Sequence, residues 1–305
     1  EPLADLHLIH DDLKLSPHSL LFDADGEHLY TAAAYLGQVS IFRLDTDDGE
    51  TDLVVRDGSN GSVTWADGRL LYLKNTLRSP NEIHTAGRDG RDERRITGLN
   101  DQALAATLMG EPEQFTFAGW NGETVHAYLV KPHDWSEEAA RQGRTWPVAF
   151  LIHGGPQGMF GDSFHPRWNV QMFAAPGYAV LMINFHGSVG YGQAFTDSIT
   201  GDWGGKPYKD VMMGLEAALK KYPRLDGKRV GAAGASYGGY MINWIGGHNN
   251  RYKCLVSHAG VFDLTSKYGA TEELWFPEWE LKGPPWGKSR ESQYRKFSPS
   301  TYLKN

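Results

Sequence analysis

The sequence predicts two architectures in one chain: a β-repeat region over residues 1–110 and an α/β domain over residues 111–305. Three observations carry this prediction. A pattern of turn and apolar residues recurs every 42 positions in the first hundred residues. After Gly110, short apolar runs alternate with amphipathic stretches, the mark of a parallel sheet covered on both faces. Within that second part, a serine flanked by glycines at two before and two after sits between a strand-like and a helix-like segment.

Composition removes several function classes. With 305 residues the chain has the length of two ordinary domains. Hydrophobic residues make up 40% and aromatics 12%, enough apolar surface to offset chain entropy. Thirty Lys and Arg against 37 Asp and Glu give a net charge of −7, and no Lys/Arg-rich run could track phosphates, so no nucleic-acid partner is expected. The longest apolar runs, Val148–Ile152 and Tyr178–Ile183, fall far short of the roughly 20 residues that cross a bilayer, so no membrane partner is expected either. A single cysteine, Cys254, excludes an internal disulfide framework and a Cys-rich zinc site, but leaves the compartment open. The opening residues Glu1-Pro2-Leu3-Ala4-Asp5 lack the charged start and apolar core of a signal peptide, which decides nothing for a processed chain.

In the repeat region, Asp25-Gly26 returns as Asp67-Gly68, Tyr30 as Tyr72, Ile41 as Ile83, Asp47 as Asp89 and Val54 as Ile96. A period of about 40–45 residues with turns between short strands reads as four-stranded propeller blades. Leu70–Leu73, Asn81–Thr85 and Arg94–Thr97 are the strands expected in the second copy. Two blades cannot close a propeller, so the region reads as the last blades of a larger array; a small β-sandwich with accidental repeats is the alternative.

From residue 111 the pattern changes. Glu113–Ala118 and Thr124–Lys131 flank Asn121-Gly122, a strong hairpin signal. Strands are expected at Pro147–Ile152, Ala179–Asn184, Arg229–Ala233 and Cys254–His258, and helices at Trp168–Ala175, Tyr208–Lys221 and Tyr237–Gly246.

Gly234-Ala235-Ser236-Tyr237-Gly238-Gly239 lies between the last of those helices and the strand before it, the context of a nucleophile elbow. There the small residues let backbones approach, the turn lifts Oγ off the sheet, and the helix N-terminus favours the negative charge of acyl transfer. An oxyanion hole in such a fold takes one N–H from the residue after the nucleophile and one from the loop after an earlier strand. Tyr237 fits the first role. Gly155 in His153-Gly154-Gly155-Pro156 fits the second, while His153 reads as a residue that orients the loop. The second half of the chain is therefore expected to be an α/β-hydrolase domain with Ser236 as its catalytic residue.

That fold orders its triad as Ser, then acid, then His. After Ser236 the histidines are His248 and His258, with no Asp or Glu between Ser236 and His258. Asp263, Glu272, Glu273, Glu278, Glu280 and Glu291 follow with no histidine behind them. His248 stands twelve positions along the helix leaving the elbow, roughly 15 Å or more from Oγ at 1.5 Å per residue. No base is identifiable within the chain.

The stretch from His153 onward resembles the catalytic domain of the prolyl oligopeptidase family of serine peptidases. The likeness is carried by His153-Gly154-Gly155-Pro156-Gln157-Gly158, Gly187-Ser188-Val189-Gly190-Tyr191-Gly192, Gly201-Asp202-Trp203-Gly204-Gly205 and the elbow extended to Tyr240-Met241, with Trp275-Phe276-Pro277-Glu278-Trp279-Glu280 adding to it. It implies an exopeptidase that releases dipeptides from peptide N-termini, or acylated amino acids, with an N-terminal β-propeller restricting entry to short peptide substrates. It further implies that the triad Asp and His lie beyond Asn305, so the hydrolase domain is expected to lack its C-terminal strands, the chain to be an internal piece of a longer peptidase, and residues 1–305 alone to be inactive. An uncovered apolar sheet edge is then expected, which favours aggregation, a homo-oligomer or a complementing C-terminal fragment. A periplasmic or secreted location follows from the resemblance, with a cytoplasmic one as the alternative.

Phe262, Leu264, Tyr268, Trp275 and Phe276 are candidates for the pocket of the substrate residue before the scissile bond, against plain core packing. Asp202, Trp203 and Asp210 read as caps and packing groups. No His/Asp/Glu spacing suits a metal and no cofactor is expected. An esterase shares the chemistry proposed here; a non-catalytic scaffold is the rival of another class.

Overall fold

The computed structural model describes residues 15–303, so the opening residues 1–14 lie outside the described part, as do Lys304 and Asn305. The chain divides into two compact units: residues 1–107 with 161–168, and residues 108–160 with 169–305.

The first unit holds strands β1 (Leu21–Phe22), β2 (His28–Tyr35), β3 (Gln38–Asp45), β4 (Thr51–Val55), β5 (Ser59–Ala66), β6 (Arg69–Thr76), β7 (Ser79–Ala86) and β8 (Arg94–Arg95). They form two antiparallel four-stranded meanders, β1 to β4 and β5 to β8, joined through one parallel bridge, Val39 to Ser59. Adding 42 to the bounds of β2 and β3 gives those of β6 and β7 within a residue, so the period seen in the sequence is a strand-for-strand repeat. Asp67 and Gly68 turn β5 into β6 with φ of 48° and 72°, the two positive angles that a type I′ hairpin requires. One face of each meander contributes to a shared core of Tyr30, Ile41, Val55, Leu70, Tyr72 and Ala86, with Trp65 packed edge-on against Tyr30. Residues 161–168 join this unit because its hairpin ends bind them. Asp162 Oδ1 accepts from Leu77 N at 2.7 Å, Asp162 N donates to Gly37 O at 2.9 Å, and Asn75 Oδ1 accepts from Ser163 Oγ and Phe164 N. The spacing-based boundary at 110 therefore falls at 107, with one excursion that no pattern in the sequence marks.

A short helix α1 (Asp101–Ala105) precedes the second unit. There a six-stranded sheet runs in the order β14-β13-β11-β12-β10-β9, from β9 (Glu111–Ala118), β10 (Thr124–Lys131), β11 (Trp146–Ile152), β12 (Ala179–Asn184), β13 (Leu225–Ala235) and β14 (Cys254–His258). Strands β11 to β14 are parallel, and β10 is antiparallel to both its neighbours. Asn121 and Gly122 turn β9 into β10 with φ of 57° and 76°, as that dipeptide predicts. The helices are α2 (Glu137–Arg141), α3 (Gln171–Ala174), α4 (Gln193–Asp197), α5 (Lys206–Lys221), α6 (Tyr237–His248), α7 (Leu264–Ala270), α8 (Trp275–Glu280) and α9 (Lys288–Phe297). The helix expected from Trp168 shrinks to four residues, because the chain up to Trp168 belongs to the excursion into the first unit.

Strands β11 and β12 are buried nearly throughout, and α5 lays Val211, Leu215 and Ala218 on the same core. Each fully buried Leu, Ile or Phe there contributes on the order of 1.5–3 kcal/mol. Strand β14, first in this order, differs: all five residues are exposed, Val256 at 50%.

Candidate active site

Strand β13 ends at Ala235 and α6 begins at Tyr237, leaving Ser236 alone in the turn with φ 56° and ψ −118°. That backbone state is costly for a residue with a side chain and persists only when its surroundings enforce it. They do. Ser236 N donates to His258 O at 3.0 Å, and Ala235 pairs with His258 across the sheet. A Cβ on Gly234 would stand 2.5 Å from the Gly238 carbonyl, and one on Gly238 only 2.1 Å from Ile152 O. Both glycines are needed for helix and strands to close around the serine. The Ser236 side chain is exposed while Tyr237 is buried, so the turn presents Oγ outward at the positive end of α6.

The loop after β11 runs beside this turn: a Cβ on Gly154 would lie 3.3 Å from Ser236 Cβ. Gly155 has φ 123°, and a side chain there would meet Gln157 N at 2.5 Å. The N–H of Tyr237 opens α6, where no carbonyl four residues back is available within the helix. The glycine loop at Gly154 and the start of α6 thus lie on either side of one exposed hydroxyl.

His153 anchors the loop. Its ring is buried and stacks on Phe185 at 4.2 Å. Nδ1 lies 2.8 Å from Gly154 O, which only accepts, so Nδ1 carries the proton and Nε2 faces Ser188 Oγ at 2.9 Å. Burial pushes this imidazole down to about 4, against a smaller upward effect of the Gly154 carbonyl. A neutral ring with both nitrogens engaged locally orients the loop, as its position suggests. The far end of the loop is held by Asn184, whose Oδ1 accepts from Phe160 N at 2.7 Å and whose Nδ2 donates to Phe160 O at 2.9 Å.

The histidines behind Ser236 serve elsewhere. His248 closes α6 with Nδ1 on Trp244 O at 2.8 Å, its ring among Trp244 and Tyr302. His258 ends β14, where its carbonyl accepts from Ser236 N. Of the pocket candidates, Phe262 and Trp275 are exposed, Tyr268 and Phe276 are half-buried against the core, and Leu264 is 1% exposed inside it. Asp202 caps α5 through Lys206 N at 3.0 Å, as expected. Asp210 caps not its own helix but the short 3-10 turn Trp120–Gly122. It is fully buried and accepts from Trp120 N at 2.7 Å, His186 N at 2.8 Å and His186 Nδ1 at 2.5 Å. Sequence reasoning missed this His–Asp pair, because its members stand 24 residues apart on different elements with no motif spacing.

A strand-turn-helix serine beside a glycine loop, on a parallel sheet of this order, defines an α/β hydrolase. Residues 163–305, just under half of the chain, match the model of the prolyl oligopeptidase family. It is 44% identical over 214 residues to dipeptidyl-peptidase 5 of Schizosaccharomyces pombe, an alignment that takes in 68% of this chain and 30% of that protein. With dipeptidyl-peptidase 5 of Aspergillus fumigatus it shares 34% identity over 297 residues, 95% of this chain and 40% of that protein. A solved acylaminoacyl peptidase, in complex with Z-Gly-Gly-Phe-chloromethyl ketone, superposes with a TM-score of 0.85 at 28% identity, over 99% of this chain and 46% of that one. The chain thus spans less than half the length of each.

Proposed function

We propose that the longer protein containing this chain is a serine exopeptidase that releases dipeptides from peptide N-termini. Ser236 Oγ attacks the peptide carbonyl as a histidine takes its proton; Gly155 and Tyr237 N–H groups hold the oxyanion; the histidine passes the proton to the leaving amine; and water then releases the acyl group. The reading needs an acid and a histidine in the order that follows the serine, and residues 1–305 do not supply them. One observation carries it: an exposed Ser236 held at φ 56° beside Gly154. Similarity to two dipeptidyl-peptidases favours the dipeptidyl class. Phe262, Tyr268, Trp275 and Phe276 form the aromatic side of the pocket, supported from beneath by Leu264. The two meanders are blades of a β-propeller that limits entry to short peptides. The same reading puts the protein outside the cytoplasm, and makes the exposed β14 the edge where a complementing segment or a second copy pairs.

The test is turnover by the longest natural form of the protein with a dipeptidyl-naphthylamide, an N-acyl-amino-acid amide and a short ester. The dipeptidyl substrate should dominate, and Ser236→Ala should lower kcat by about 10⁴-fold or more. Likeness to the solved acylaminoacyl peptidase favours a second reading, release of acylated amino acids, which preferential turnover of the N-acyl substrate would establish. Absence of turnover on all three would sink the peptidase reading.

A further inference from the structure

We propose that Glu280 is a positioning residue for the oxyanion hole: its buried carboxylate ties the loop that carries Gly155 to the helix start that carries Tyr237. The inference rests on Ser236 as the nucleophile.

Glu280 ends α8 and is 1% exposed. Its Oε1 accepts from Gln157 Nε2 at 2.6 Å, and Gln157 stands two residues after Gly155. Its Oε2 accepts from Trp203 Nε1 at 2.7 Å. The carbonyl of Trp203 in turn accepts from Tyr237 OH at 2.6 Å, and its indole stands edge-on to the Tyr237 ring at 5.2 Å. One carboxylate is therefore tied to the loop two residues after Gly155 on one side and, through Trp203, to the Tyr237 hydroxyl on the other. Its backbone carbonyl also accepts from Gly201 N at 2.6 Å, which fixes the end of α8 itself.

The chemistry of this position is specific. Burying a carboxylate is expensive unless charge or hydrogen bonds compensate. Here both oxygens meet neutral N–H donors, and the charge felt from Asp197 adds to the cost. Burial raises the carboxyl above its ordinary range, Asp197 pushes the same way, and the Trp203 and Gln157 bonds oppose them. Two converging donors require two acceptors with no hydrogen between, which a carboxylate provides and an amide does not. A leucine or methionine would fill the space without that cost, so the carboxylate is there for what it orients.

The experiment uses the longest natural form and reads kcat and KM on its preferred peptide substrate, the second-order rate of fluorophosphonate attachment to Ser236, and the unfolding midpoint. Glu280→Gln turns an N–H toward one of the two donors. It should lower kcat and the attachment rate about 10- to 100-fold with KM within about twofold, less than the 10²–10³-fold cost of deleting an oxyanion donor outright. The double variant Gln157→Glu/Glu280→Gln reverses the polarity of the pair: the new amide at 280 donates to the new carboxylate at 157 and accepts from Trp203. It should restore kcat to within about threefold of the natural protein. Trp203→Phe, which deletes one donor and keeps the ring, covers the case in which Glu280→Gln does not fold, and should lower kcat at unchanged KM. Natural kcat in Glu280→Gln or in Trp203→Phe, or a folded double variant no faster than Glu280→Gln, would overturn the positioning role. Natural protein that takes no label at all would instead overturn the assignment of Ser236.

Discussion

The two units use buried polar side chains in opposite ways. In the repeat unit they close local turns. Glu82 is 2% exposed, and its carboxylate accepts from the Thr97 hydroxyl, Leu99 N, Asn100 N and Asn100 Nδ2, all within 18 residues of it. Asp23 bonds to His28 five residues away, with only a looser contact to Arg88 at 3.7 Å across the repeat. In the hydrolase unit they bridge distant chain: Asp210 reaches Trp120 over 90 residues, Glu280 reaches Gln157 over 123, and His153 reaches Ser188 over 35. A repeat needs only to finish each strand in register, since its core comes from the next copy. A nucleophile elbow must hold several loops in one geometry, and only long-range ties can do that.

Loss of a tie should therefore cost more than loss of a turn closure. Asp210→Ala strands Trp120 N, His186 N and His186 Nδ1 without their acceptor inside the protein, and should cost about 3–5 kcal/mol in urea unfolding of the longest natural form. Glu82→Ala frees four donors at a unit surface, where water can reach a relaxed turn, and should cost about 1–3 kcal/mol. Equal losses would break the comparison. Smallest of all, Arg91→Ala deletes an exposed pair with Asp89 and should cost less than about 1 kcal/mol.

One buried group in each unit should also weaken on opposite sides of neutrality. Bonds from Thr97 and Asn100, against the upward pull of burial, hold the Glu82 carboxyl down to about 2. Its contribution is then complete above the ordinary value of 4.5 and is lost as pH falls toward about 2. Burial alone would lower the His186 imidazole, but its bonds to Asp210 and Glu123 raise it. That contribution is complete below 6.5 and is lost as pH rises through the raised value. Amide exchange resolved by unit should show the residues around Glu82 opening first in acid and those around His186 opening first in alkali; the same order at both extremes would contradict this.

What the sequence revealed follows the same division. The repeat unit was legible because each copy restates its own strands, with Asp67-Gly68 marking a turn by its φ requirement alone. The elbow was legible because Gly234, Ser236 and Gly238 are forced by contacts within five residues and with the two neighbouring strands. Asp210, Glu280 and the 161–168 excursion were not, since their partners are chosen by tertiary packing across 24 to 125 residues and leave no periodic trace. Gly201-Asp202-Trp203-Gly204-Gly205 carried the family resemblance, yet nothing in the motif shows that the Trp203 indole meets Glu280.

The central claim, that Ser236 is a nucleophile in a preformed oxyanion site, is tested most directly by fluorophosphonate labelling of the longest natural form with the adduct mapped by peptide mass spectrometry. A single adduct on Ser236, absent from Ser236→Ala and absent from residues 1–305 alone, is the predicted result. No adduct in the longest form, or an adduct on another serine, would contradict it.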